Sequence, residues 1–308
     1  MTAPRSIDEY LKQLRRALGG EDPALIQDAL YDAEEYLRAE VAANPGKSEA
    51  DVLELIASTY GAPDEVATAY RDTEVKVRAA LKTPPPRAAS SPSGLTRFFG
   101  VFLDPRAYTS LFYMVLSLVT GIAYFTFVVT GSALSVGLAI LIIGVPFFLA
   151  FIGIARVIAL GEGRLLEAIT GERMPRRPVH PGPPSGWWQR IADMLTDPRT
   201  WTTLAYLVLM LPLGIVYFVI AVTGLSISAS FIGIPLTLLA HALGFTHVHV
   251  FEHVQFGSET LAYYDPWWAA LPMLVAGIVV LTLLMHVARG LVRLHARLAK
   301  ALLVVPGA

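Results

Sequence analysis

The rhythm of apolar and polar positions changes once along the chain, and sharply. Over residues 5–82, apolar side chains return every three or four positions between charged ones, the period of amphipathic helices. The first helix opens at "SIDE", a capping box of Ser6 and Glu9. It carries the stripe Ile7, Tyr10, Leu11, Leu14, Leu18 and stops at Gly19-Gly20. The second has Asp22 as N-cap and Pro23 in its first turn. Its face is Ile26, Ala29, Leu30, Ala33, Leu37 and Val41, and "NPGK" (44–47) ends it. A third starts at Ser48, with Asp51 three residues on, and runs through Leu53, Ile56 and Ala57 to Gly61. A last helical stretch starts near Pro63 and carries Val66, Ala67 and Tyr70. These predict a compact helical domain over 5–82, near the lower size limit for a self-sufficient core.

A Pro- and Ser-rich segment, "TPPPRAASSPSG" (83–94), follows and reads as an extended linker. Beyond it the period gives way to uncharged runs at 107–130, 134–155, 200–223 and 269–285. A helix of about 20 apolar residues crosses a bilayer core, so four spans are expected. A fifth apolar stretch, 225–245, is ambiguous. Ahead of the first and third spans lie "LTRFFGVFL" (95–103) and "WWQRIADML" (187–195), short amphipathic runs that suit the headgroup plane. Trp187 and Trp188 fit an interfacial aromatic belt.

Charge sets the orientation. Arg156, Arg164, Arg173, Arg176, Arg177, Arg190 and Arg199 fall in the loop 156–199, and Arg289, Arg293, Arg297 and Lys300 in the tail, whereas 224–268 has no Lys or Arg. The positive-inside rule makes loop and tail cytoplasmic and the number of crossings even. Segment 225–245 is then expected to enter the outer leaflet, break at "GIP" (233–235) and return, or else to form an interrupted helix packed on its neighbours.

The apolar half also repeats itself. "DPRAYTSLFYMVLSLVTGIAYF" (104–125) recurs as "DPRTWTTLAYLVLMLPLGIVYF" (197–218), 93 residues on and without a gap. Gly121 matches Gly214, Tyr113 matches Tyr206, and "GVP" (144–146) matches "GIP" with four residues lost before it. Two copies, 95–171 and 187–303, each holding a pair of spans, point the same way as parallel repeats. In each, "DPR" reads as a helix start with an Asp cap. Gly121, Gly214, Pro146 and Pro235 are the expected repeat-packing positions. The fold class is all-α: a small helical domain and a four-span bundle of two hairpin repeats.

Composition agrees. The chain is 54% apolar and 16% charged, against roughly 25% charged in soluble domains. Without cysteine there is neither disulfide framework nor thiolate zinc site. The polar N-terminal stretch is not that of a cleavable signal peptide. Residues 1–82 carry ten basic and sixteen acidic side chains, and 83–308 fourteen and nine. The basic half suits anionic headgroups, or would hold the acidic domain against itself.

Two resemblances add to this. "EYLKQLRRAL", "DALYDAEEYLRAE" and "YGAPDEVATAY" resemble the HAAS domain, a small cytoplasmic helical module of bacterial membrane proteins tied to signalling and transcriptional control. That implies a protein-interaction module. "TWTTLAYLVLMLPLGIVYF", "ARGLVRLHARLAKALL" (288–303) and its counterpart "ARVIALGEGRLLEAITG" (155–171) resemble the putative-sensor domain found in relatives of sensor histidine kinases. Here no nucleotide-binding motif follows.

Candidate chemistry is sparse. "HVHVFEHV" (247–254) places His247, His249, Glu252 and His253 together, with His241 nearby. His247 and His249 share a face of a strand, and His249 and His253 a face of a helix. Either spacing suits Zn²⁺ or Cu²⁺. Protonation near pH 6 would instead switch a membrane-packed loop. The plain reading, wet interfacial histidines, is favoured over both. Tyr263, Tyr264, Trp267 and Trp268 in "AYYDPWW" read as an aromatic anchor, or as a shelf for an apolar ligand. Together these form the expected stimulus-facing segment. Asp32, Glu34 and Glu35 read as a solvated helix face. The four uncharged runs hold no Asp, Glu, Lys or Arg, which argues against an ion-coupled transporter.

The expectation is a non-enzymatic bacterial inner-membrane sensor without cofactor, its N- and C-termini cytoplasmic. Its partners would be the lipid bilayer and a cytoplasmic signalling protein or transcription regulator, with self-association open and no direct nucleic-acid contact. The rival is a scaffold or envelope-complex subunit that senses nothing.

Overall fold

The computed structural model describes residues 4–81, 94–141, 143–175, 187–244, 254–256, 259–261 and 267–304. The linker expected at 83–94 lies outside these except for Gly94. The fold is all-α, with ten α-helices among the described residues and one short hairpin.

The N-terminal domain comprises α1 (Ile7–Ala17), α2 (Pro23–Ala43), α3 (Glu49–Ala57) and α4 (Pro63–Leu81). The first three start where their caps predict, and α4 starts at Pro63. The Ser6 hydroxyl accepts from Glu9 N at 3.2 Å, and Asp22 Oδ1 accepts from Ala24 N at 2.9 Å. Ser48 and Asp51 form the full reciprocal box. The box expected at Ser6 is only half made, because the Glu9 carboxylate accepts from Arg5 N at 2.9 Å instead. The four helices bury Tyr10, Leu14, Leu18, Ala29, Ala33, Leu37, Val52, Leu53, Ile56 and Ala67 in one core. Tyr36 stacks on Tyr60, and the Tyr10 hydroxyl donates to Gly61 O across the fold at 2.8 Å.

Four helices are long and apolar enough to cross a membrane: α6 (Pro105–Leu138), α7 (Gly144–Thr170), and the greater parts of α9 (Pro198–Ala242) and α10 (Trp267–Leu303). The two amphipathic runs fold as α5 (Gly94–Phe99) with a 3-10 turn to Leu103, and as α8 (Trp187–Thr196). Strands β1 (Val254–Phe256) and β2 (Glu259–Leu261) pair antiparallel with Gln255 opposite Thr260, a hairpin that the pattern of residues did not predict.

Two expectations are corrected. The first pair of spans does not turn at 131–133; α6 runs on to Leu138 and the break falls at 139–143. Gly131 is helical and admits the ring of Phe151, which a Cβ would meet at 2.3 Å. The turn closes instead where Gly144 approaches the Leu138 carbonyl, 2.1 Å from where a Cβ would stand. Nor does 225–245 break and return. It continues α9 unbroken through Pro212 and Pro235 to Ala242, and Gly244, at φ 76°, ends it in the left-handed region open to glycine. A proline leaves one carbonyl of the preceding turn unpaired, which a packed membrane helix tolerates.

The chain divides into two compact units, one of 1–90, 125–208 and 295–308, the other of 91–124 and 209–294.

Candidate functional site

In the first unit, the N-terminal domain meets the ends of the apolar helices through charge. Arg173, just past α7, reaches Asp28 of α2 through Nη2 at 3.0 Å and Glu74 of α4 through Nη1. All three are largely buried, with 12%, 6% and 9% of their side chains exposed. One guanidinium thus draws together the second and fourth helices of the domain. Lys300 near the end of α10 adds a second tie, 2.7 Å from the Asp22 carboxylate and 3.9 Å from Glu172. Met174, fully buried, fills the space beside Gly163. Buried ion pairs add little net stability, but removing one partner costs several kcal/mol, because the other charge stays desolvated. The contact is therefore specific: it holds in this arrangement and poorly in others.

The start of α9 lies in the same unit. Asp197 caps it, accepting from Arg199 N at 3.0 Å, and its other oxygen takes Arg156 Nη2 at 2.9 Å. Arg156 also donates to the Thr200 hydroxyl at 3.0 Å. Deeper, the Tyr206 hydroxyl lies 3.1 Å from His295 Nε2, both buried.

The second unit repeats the first pattern with the copies exchanged. Asp104 caps α6, accepting from Arg106 N at 3.0 Å, and pairs with Arg289 at 3.1 Å. Arg289 stands in the "AR" that matches Arg156, 133 positions earlier. Each copy's capping aspartate is thus held by the other copy's arginine. Local bonds repeat as well: Tyr108 Oη donates to Phe102 O at 3.0 Å, and Trp201 Nε1, 93 residues on, to Leu195 O at 2.8 Å. Ser135 and Ser228 each donate to the carbonyl four residues back at 2.7 Å.

The glycines expected to pack are placed in the second unit. A Cβ on Gly121 would meet Met210 O at 2.5 Å, and one on Gly214 would meet Ser117 O at 2.2 Å. Met210 is the match of Ser117, so the contact is reciprocal: each glycine touches the position four residues before its own equivalent. Further along, Gly224 faces Leu284 and Gly277 faces Phe231 and Ile232, which lays α9 against α10. Pro146 sits in the first turn of α7, and Pro235 in the interior of α9. His286 Nε2 lies 3.1 Å from Phe98 O.

The model matching residues 113–303 is that of the family described as "Putative sensor". The chain belongs to this family. The match takes in all but the first turns of α6 and the whole of α7 to α10, so the exchanged arginines and both packing glycines fall within the sensor domain. No curated protein and no solved structure matches the chain.

Much of the expected stimulus-facing segment cannot be set on this frame. His247, His249, Glu252, His253, Tyr263 and Tyr264 lie outside the described residues, as do the side chains of His241, Trp267 and Trp268. The described residues hold no group of three metal-ligating side chains. Of the acidic face, Asp32 accepts from the Tyr70 hydroxyl at 2.9 Å and Glu34 pairs with Arg38 at 2.8 Å.

Four buried charged side chains went unread in the sequence. Asp28 falls between Leu25 and Ala29 on the buried face of α2, and a carboxylate within an apolar stripe is a signal that it has a partner. Arg173 reads only as one of the arginines of the loop 156–199, and Glu74 gives no signal of its own. Glu162 escapes because the second span was expected to end at Ala155; α7 runs to Thr170 and buries Glu162, whose match 133 positions on is the buried His295. This sensor domain does therefore carry ionisable groups inside its apolar helices.

Proposed function

We propose that the protein is a non-enzymatic membrane sensor whose apolar helices control the exposure of its N-terminal domain. The observation that carries this reading is Arg173 joined to both Asp28 and Glu74. A shift of α7 along its axis pulls on α2 and α4 together, so a change among the spans reaches the domain's surface. Membership of the sensor family supports the input side. The HAAS-like sequence supports the output side, a docking module for a cytoplasmic signalling protein or transcription regulator. The clustering of arginines supports a bacterial inner-membrane protein with both termini cytoplasmic, its two copies running parallel.

The test is limited proteolysis of the full chain in membrane vesicles, read at the N-terminal domain. Arg173→Ala should release the domain and speed its removal several-fold. Deleting 246–268 should alter the same rate if that segment receives the stimulus. A domain equally protected in all three proteins would leave a scaffold as the better description. Reporter fusions after Gly94, Gly182, Gly257 and Ala308 check the orientation, and only the one at 257 should report outside.

A further inference from the structure

The first unit contains a cavity of about 60 Å³ where α2, α7, the start of α9 and the end of α10 converge. Its walls include Gln27, Ala159, Leu160 and Leu303, and its polar side is Arg156, Arg199 and Asp197. We infer that this cavity binds a phosphate group carried on an apolar body, and that this is a ligand of the sensor.

Charge is the first argument. Arg156 and Arg199 both line the cavity, and Asp197 is the acid that lines it with them. Two guanidinium groups against one carboxylate leave an excess of positive charge in a half-buried hollow. Like charges that are partly desolvated repel strongly, and an anion relieves this. The second argument is availability. Arg156 is committed to Asp197 and Thr200. Among the described residues, the Arg199 guanidinium makes no hydrogen bond or salt bridge. Its planar donor fork matches phosphate oxygens two at a time. The third is the lining, in which Ala159, Leu160, Met174 and Leu303 offer apolar contact beside the cations. A bare inorganic ion would leave that surface unused; an acyl or other apolar chain covers it. The position matters as well, since Gln27 belongs to the N-terminal domain. A group bound here touches the domain and the apolar helices at once.

This inference rests on the sensor reading for its meaning, but not for its measurement. The detergent-solubilised full chain is titrated with short-chain phosphatidylglycerol and, separately, with inorganic phosphate, and binding is followed by native mass spectrometry. Phosphatidylglycerol should bind, and Arg199→Gln should weaken it at least tenfold. Leu303→Trp, which fills the cavity without changing charge, should do the same. Arg164→Gln, on the same α7 but outside the cavity, should not. Inorganic phosphate binding as tightly as the lipid, with the same dependence on Arg199, would assign the site to soluble phosphate esters and keep the phosphate chemistry. The inference is overturned if neither ligand binds, or if Arg164→Gln and Arg199→Gln weaken binding equally. Thermal unfolding of each variant shows whether it is folded, and loss of binding in both Arg199→Gln and Leu303→Trp guards against one being misfolded. Binding without any change in proteolysis of the N-terminal domain would sink the sensor reading and leave the site standing. Altered proteolysis without binding would do the reverse.

Discussion

The two copies begin alike and end differently. Through about their first five turns, α6 and α9 share caps, ring-to-carbonyl bonds, buried tyrosines and packing glycines. They part at one tripeptide. In the first copy "GVP" opens a new helix after a break at 139–143; in the second "GIP" lies inside α9, which runs nine residues past Gly233. The difference is four residues, about one helical turn. With them, the chain has slack to reverse, and Gly144 can lie against the Leu138 carbonyl. Without them the helix continues, reaching ~67 Å for its 45 residues against a bilayer core of ~30 Å. A reversal in a membrane protein is thus decided less by a glycine–proline motif than by whether spare residues precede it.

The largest effect is expected where the copies are alike. Gly214→Leu drives a side chain into the Ser117 backbone and should cost about 3 kcal/mol or more, read as loss of folded protein in detergent unfolding. Gly121→Leu should do the same. If the matched glycines tolerate leucine, the reciprocal contact does not hold the bundle. Next, Arg173→Ala takes the shared cation from two buried carboxylates and should weaken the domain's hold by about 3 kcal/mol; the triple variant Asp28→Asn/Glu74→Gln/Arg173→Met should recover much of it. The exchanged pairs come third. Double-mutant cycles on Asp104–Arg289 and Asp197–Arg156 should each give about 1 kcal/mol, falling with salt. Unequal couplings would show that the copies bear different loads. The smallest effect is where they differ: Gly233→Ala, open on all sides, should gain up to ~1 kcal/mol of helix propensity, whereas Gly144→Ala meets the Leu138 backbone as closely as Gly214 meets Ser117 and belongs with the largest losses.

Outside the membrane helices, alkaline titration separates the N-terminal domain from the rest. Burial, with Asp32 and Tyr36 nearby, pushes the Tyr60 hydroxyl from 10.0 up to about 12, and burial raises Tyr10 and Tyr70 further. The folded domain then holds these protons where the unfolded chain has lost them. Their contribution is whole below pH 10 and falls as pH rises through 12. Circular dichroism of the full chain should show the domain melting first in that window, and Tyr60→Phe should delay it.

Local chemistry was readable; long-range chemistry was not. Asp22, Ser48, Asp104 and Asp197 announced their helices because a cap acts within a few residues. The 93-residue offset exposed the copies because identical letters need no structure to compare. The second span was rightly separate, but its start was set too early, because an apolar run says nothing about where a helix bends; Gly144 does, through a carbonyl six residues away. Arg173 with Asp28 and Glu74 spans 145 and 99 positions, beyond the reach of any spacing rule. Only the misplaced carboxylate of Asp28 hinted at it.

The exchange of aspartate and arginine between copies has an arithmetic of its own. Each stretch supplies one aspartate and one arginine, and each of these is joined to the other stretch's partner. Cutting the chain between the two stretches would therefore divide both ion pairs between the two pieces.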